Sequence, residues 1–224
     1  MAFKPNVLFV LPALVAYRFG ARDRRRLAAE SAGFVGGILL AVLAGAIYFR
    51  SLHSWMRWAD AARALAGGYL PLSAGNVSPA LQLIVAFGGA ISFVIAGALL
   101  GAMLFALWKG KDHLSSDETP LVAGFGLVVY LCAASLVWMH YLILALPLAI
   151  VLMADQLSKT RRWVAVLAMT LISYDVWQAL LSIRTMRGQA NVFWLGLSLL
   201  IVVALHRLRW PGRGSPLRPA RRRS

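Results

Sequence analysis

Six uninterrupted apolar runs dominate this chain, at 7–17, 32–49, 80–108, 120–154, 163–181 and 192–205. The hydrocarbon core of a bilayer is about 30 Å thick and takes roughly 20 residues of helix to cross. Within it every backbone N–H and C=O must be satisfied by the segment itself. Runs of this kind restrict the expected fold to an all-α integral membrane bundle. Composition agrees: 60% of the residues are hydrophobic and 14% charged, whereas a soluble domain has about 45–50% apolar and about 25% charged residues. The single cysteine, Cys132, excludes a disulfide framework, and four histidines without HxxxH or HxH spacing give no metal site. No metal and no cofactor is expected. The net charge of +15 sits in short clusters between apolar runs, so it is read as topological charge and not as a nucleic-acid surface.

Two runs are too long for one upright crossing. At 1.5 Å per residue the 80–108 run would extend about 43 Å and the 120–154 run about 52 Å. The first is expected to be strongly tilted or broken near Gly88-Gly89, and the second to be two spans, 120–137 and 140–154, meeting near 135–141. Lysine and arginine counts favour that division, because cytoplasmic loops hold the excess. Seven spans place Arg18, Arg22, Arg24, Arg25 and Arg26, the 109–118 and 156–162 loops and the arginine-rich tail on one side, 17 cations against 5 in the opposite loops, with Lys4 besides at the outer N-terminus. The expected topology is therefore seven spans in a domain covering 1–208. The N-terminus is outside, the 50–79 loop is outside, and a basic tail, 209–224, lies in the cytoplasm. The chain opens directly at the membrane with a short first run, which fits either the middle of a longer protein or a first helix inserted with its N-terminus out.

The outer loop begins with an expected interfacial helix. Ser54 can cap it, Gly67-Gly68 stops it, and Trp55, Trp58, Ala62 and Leu65 share one face, opposite Arg57, Asp60 and Arg63. Anchoring at the headgroup level explains Trp55 better than a ligand role does. A turn-rich stretch then leads to Asn76 and Ser78; this also fits a glycosylation sequon, discounted because Pro79 follows. Gly33-x-x-x-Gly37 and Gly97-x-x-x-Gly101 predict close helix packing inside the bundle.

Polar groups near the outer face carry the functional question. His140 stands between Trp138-Met139 and Tyr141 in the expected outer turn. Asp175 falls within the 163–181 run, about 9 Å below its outer end by helical rise, with Gln178 on the same face. A carboxylate there costs roughly 2.5–3.5 kcal/mol on insertion scales and must face protein or water. A hydrogen bond between helices explains Asp175 as well as a substrate role does, and for His140 the bland alternative is an interfacial histidine bonded to a carbonyl.

The stretch Ala134-Ser-Leu-Val-Trp-Met-His-Tyr-Leu-Ile-Leu-Ala-Leu-Pro147 resembles the Ser-Pro-x-Ser-Trp-x-His-His/Tyr segment of glycosyltransferase family 87, the polyprenol-phosphate-mannose-dependent mannosyltransferases. Lys4-Pro5 before a basic loop, and Gly75-Asn76-Val77-Ser78 before a span, follow that family's order. Trp138, His140, Tyr141 and Pro147 match; Ala134-Ser135, Val137 and Met139 depart from it. The resemblance implies the C-terminal half of a type-C membrane enzyme whose catalytic carboxylate sits in an N-terminal half or partner chain missing from this sequence. It implies transfer of a hexose, mannose by the resemblance, from a polyprenyl-phosphate sugar donor at the outer face of a bacterial inner (plasma) membrane. His140 is then the candidate catalytic residue, though not the base, and Lys4, Asn76, Ser78, Trp138, Tyr141, Asp175, Arg184 and Arg187 are candidate substrate-binding residues. Chemistry points the same way. Sugar transfer needs a base and donors for the departing phosphate, and this chain is rich in outer cations (Lys4, Arg50, Arg57, Arg63, Arg184, Arg187) but offers only Asp60 and Asp175 as outer acids. The competing readings are a transporter, in which Asp175 and Gln178 line a path, and a non-catalytic assembly subunit. A transporter should show inverted halves with broken helices at the midplane, and the sequence has no internal repeat.

Overall fold

The computed structural model describes residues 9–20, 24–51, 53, 55–57, 60, 76–110, 118–134, 137, 139–154, 158–173 and 186–209. They form α1 (Val10–Gly20), α2 (Arg24–Tyr48), α3 (Pro79–Phe87), α4 (Ile91–Gly110), α5 (Thr119–Ala133), a 3-10 helix (Met139–Ala145), α6 (Leu146–Met153), α7 (Lys159–Ile172) and α8 (Met186–Arg209). No strand occurs among the described residues. Three helices are long and apolar enough to cross a membrane: α2, α4, and Ala190–Leu208 within α8. Val10–Gly20, Thr119–Ala133 and Tyr141–Met153 are shorter apolar helices.

Both long runs are broken. The 80–108 run divides at Gly88, whose φ of 89° is a conformation that costs glycine little and other residues much. The 120–154 run divides after Ala133: Ala134 is extended, and Pro147, lacking an N–H, opens α6 in its first turn. Helix limits also differ from the apolar runs. Arg24, Arg25 and Arg26 belong to α2 and not to a loop, since a basic turn continues a helix readily where no glycine or proline interrupts it. Of the 163–181 run, the described helix reaches Ile172, and Ser173 is extended. In the segment expected to be interfacial, residues 53, 55–57 and 60 are helical. There the Trp55 indole N–H donates to the Val42 carbonyl at 3.0 Å, so the segment folds back on α2.

α5 is the centre of the bundle. Leu121, Val122, Phe125, Val128, Val129 and Leu131 are all buried on it, and α1, α4, α6 and α8 pack around it. Close approach is set by glycines other than the expected pairs. A Cβ at Gly124 would lie 2.7 Å from the Leu148 backbone nitrogen of α6, one at Gly126 2.9 Å from the Phe9 carbonyl, and one at Gly196 2.8 Å from the Ala168 carbonyl of α7. The expectation for Gly33, Gly37, Gly97 and Gly101 is corrected: among the described residues nothing lies within 4 Å of a Cβ at any of them. Spacing marks a smooth helix face, but which face meets a neighbour depends on the whole bundle. α2 in fact has no buried residue.

One end of the bundle is tied by charge. Arg18, 2% exposed, ends α1 and pairs with Glu30 of α2 at 2.5 Å. Its guanidinium also donates to the Thr119 hydroxyl at 2.6 Å and lies 4.7 Å from the Tyr17 ring centre. The Tyr17 hydroxyl accepts the Glu118 N–H at 3.3 Å, and the Glu118 carboxylate takes Arg207 of α8 at 2.6 Å. Cations thus sit at the C-terminal ends of α1 and α8 and an acid at the N-terminal end of α5, each offsetting its helix dipole. The network gathers the end of α1, the start of α2, the start of α5 and the end of α8. It makes α8 antiparallel to α5.

Candidate functional site

The opposite end of α5 carries the segment of interest. Asn76, Val77, Ser78 and Val137 are buried there, none more than 1% exposed. The Asn76 side-chain oxygen accepts two backbone N–H groups, from Ser78 at 3.0 Å and from Val137 at 2.9 Å. The Val77 N–H donates to the Val137 carbonyl at 2.9 Å. Ser78 donates its hydroxyl hydrogen to the Ala134 carbonyl at 2.5 Å and accepts the Leu81 N–H at 3.1 Å, capping α3 ahead of Pro79. Short polar side chains hold such turns because they supply the acceptors that an interrupted backbone lacks. Two segments about 60 positions apart are thereby locked together. The side-chain oxygens of Asn76 and Ser78 serve that lock and do not open into a cleft.

The 3-10 helix Met139–Ala145 begins immediately beyond Val137 and carries His140 and half-buried Tyr141 at this same end. α8 runs antiparallel to α5, so its first turn, with Arg187, also starts here. Lys4, Trp138, Asp175, Gln178 and Arg184 lie outside the described residues, as do the side chains of His140 and Arg187. Among the described residues no three His, Cys, Asp or Glu stand together as a metal site would require.

Just inside the locked turn lies a cavity of about 340 Å³, within the size range of small-ligand sites. Ala80 and Leu83 of α3, Ile95, Ala98 and Leu99 of α4, Cys132 of α5, and Trp194, Ser198 and Ile201 of α8 line it. Ala80 is two residues from Ser78 and Cys132 two from Ala134, so the cavity adjoins the turn. Its wall is apolar apart from Cys132 and Ser198, which suits a hydrocarbon chain and not a sugar. Sequence reasoning missed it, although a signal was present. Breaking the 80–108 run at Gly88 leaves α3 only nine residues long, too short to fill the space between α4 and α8.

Comparison with protein-family models, with curated proteins and with solved structures finds no match to this chain.

Proposed function

We propose that this chain is the donor-binding, C-terminal half of an integral-membrane glycosyltransferase, moving a hexose from a polyprenyl-phosphate carrier at the outer face. The observation that carries the reading is the lock between Asn76-Val77-Ser78 and Ala134–Val137. These are the two segments whose order resembles family 87, and they are hydrogen-bonded to each other directly before the 3-10 helix of His140. In this reading the isoprenoid tail lies in the apolar cavity under the turn, and His140 and Arg187 are the groups assigned to the phosphate. A neutral imidazole donates to a phosphate oxygen, and an imidazolium also offsets its charge as the sugar departs. Asn76 and Ser78 are positioning residues. The attacking hydroxyl gives its proton to a carboxylate supplied from outside this sequence, by an N-terminal half or a partner chain.

In the complete enzyme, His140→Ala is expected to lower hexose transfer from a polyprenyl-phosphate donor by about 10²-fold, the size of a lost phosphate-stabilising donor, with unchanged membrane expression. Equal turnover per folded molecule would remove His140 from the site.

The reading needs seven spans with the charge-tied end in the cytoplasm. A cysteine replacing Ser73, on a Cys132→Ser background, should react with an impermeant thiol reagent from outside, and one replacing Ser215 only after permeabilisation. The reverse pattern would put the proposed site on the wrong side of the membrane.

A further inference from the structure

At the charge-tied end a second cleft, of about 250 Å³, opens between the end of α6 and the first turns of α7. Met153, Lys159, Arg162, Trp163 and Val166 line it. The 155–162 segment contains three cations, Lys159, Arg161 and Arg162, and one acid, Asp155. Lys159 and Arg162 are three residues apart, so they share a helix face, and both are exposed. Below them on α7, Trp163 is 63%, Val166 37% and Leu167 51% exposed. Cations above an outward tryptophan and aliphatic side chains follow the layering of a lipid leaflet, from headgroup through interface to acyl chain.

We propose that this cleft holds the headgroup of an anionic membrane phospholipid. Lys159 and Arg162 bind its phosphate, and Trp163 and Val166 lie along the glycerol and the first acyl carbons. Arginine takes a phosphate through two parallel hydrogen bonds and lysine as a point charge, so the pair holds one phosphate without a metal. A zwitterionic lipid offers the same phosphate with a choline charge that these cations repel, which makes the site selective. The inference needs only a membrane-spanning chain and stands or falls independently of the glycosyltransferase reading.

The test reconstitutes the full chain in vesicles of phosphatidylcholine containing a minority of phosphatidylglycerol, re-extracts it in mild neutral detergent and measures the lipid retained per chain. Phosphatidylglycerol should be enriched over its vesicle fraction. Lys159→Gln and Arg162→Gln should each weaken retention about fivefold, from about 1 kcal/mol per surface cation, and the pair by more than tenfold. The charge-preserving pair Lys159→Arg with Arg162→Lys, eluting as a single folded species, should keep the lipid, as should Arg50→Gln at the other end of α2. Excess glycerol 3-phosphate should not displace it. Retention unchanged in the double glutamine variant, loss of equal size in Arg50→Gln, or full displacement by glycerol 3-phosphate would each overturn the assignment.

Discussion

Glu30→Leu is expected to lower the unfolding free energy by about 3–5 kcal/mol, the cost of removing one member of a buried ion pair. Arg18 is 2% exposed and Glu30 28%, so water reaches the carboxylate more easily than the guanidinium. The Thr119 hydroxyl and the Tyr17 ring hold the guanidinium as well, so the loss falls toward the lower end of that range. Replacing both members by leucine should recover most of the loss, because an apolar pair of similar volume is often neutral at such sites. Denaturant unfolding of the single and double variants in detergent micelles closes the cycle. A single-variant loss of less than about 1 kcal/mol, the range of solvated surface pairs, would mean that the pair ties nothing together.

The second large effect is at the opposite end. Asn76→Leu removes the acceptor for two buried N–H groups, those of Ser78 and Val137, and a buried donor left unmade costs about 1–3 kcal/mol. A loss of about 2–4 kcal/mol is expected on that basis. Ser78→Ala should cost less, about 1 kcal/mol for a lost cap. A residue that only contacted substrate would behave differently: Asn76→Leu would then leave the unfolding transition in place and abolish transfer. Measuring both on one preparation separates the two roles.

Length arithmetic made the break in the 120–154 run legible, and for the 80–108 run it left a break near Gly88 as one of two solutions, the other being a strong tilt. Gly88 and the turn after Ala133 are where the divisions fall. Asn76 and Ser78 were legible as turn residues, but their partners were not. They bond the backbone of Ala134 and Val137, whose alanine and valine side chains say nothing about hydrogen bonding. Arg18 and Glu30 were visible as charges beside a span. Counting charges assigns a side of the membrane, however, and contains no term for a pair buried between helices. The small-residue spacing at Gly33 and Gly97 was read from local pattern, and neither glycine meets a neighbour among the described residues. Gly124 and Gly196, which do, have no such spacing to announce them.

α2 consequently divides its residues between two kinds of constraint. With no buried residue along it, most of its positions answer only to the solvent around them, and any side chain of similar hydropathy serves equally well. A deep mutational scan should find interchange among leucine, isoleucine, valine, phenylalanine and alanine tolerated from Val35 to Leu43. From the contacts among the described residues, two positions would stand out as invariant: Glu30, paired to Arg18, and Gly45, on which the Trp55 ring rests. Substitution tolerance from Glu30 to Gly45 would then trace these attachment points as narrow dips in a permissive profile.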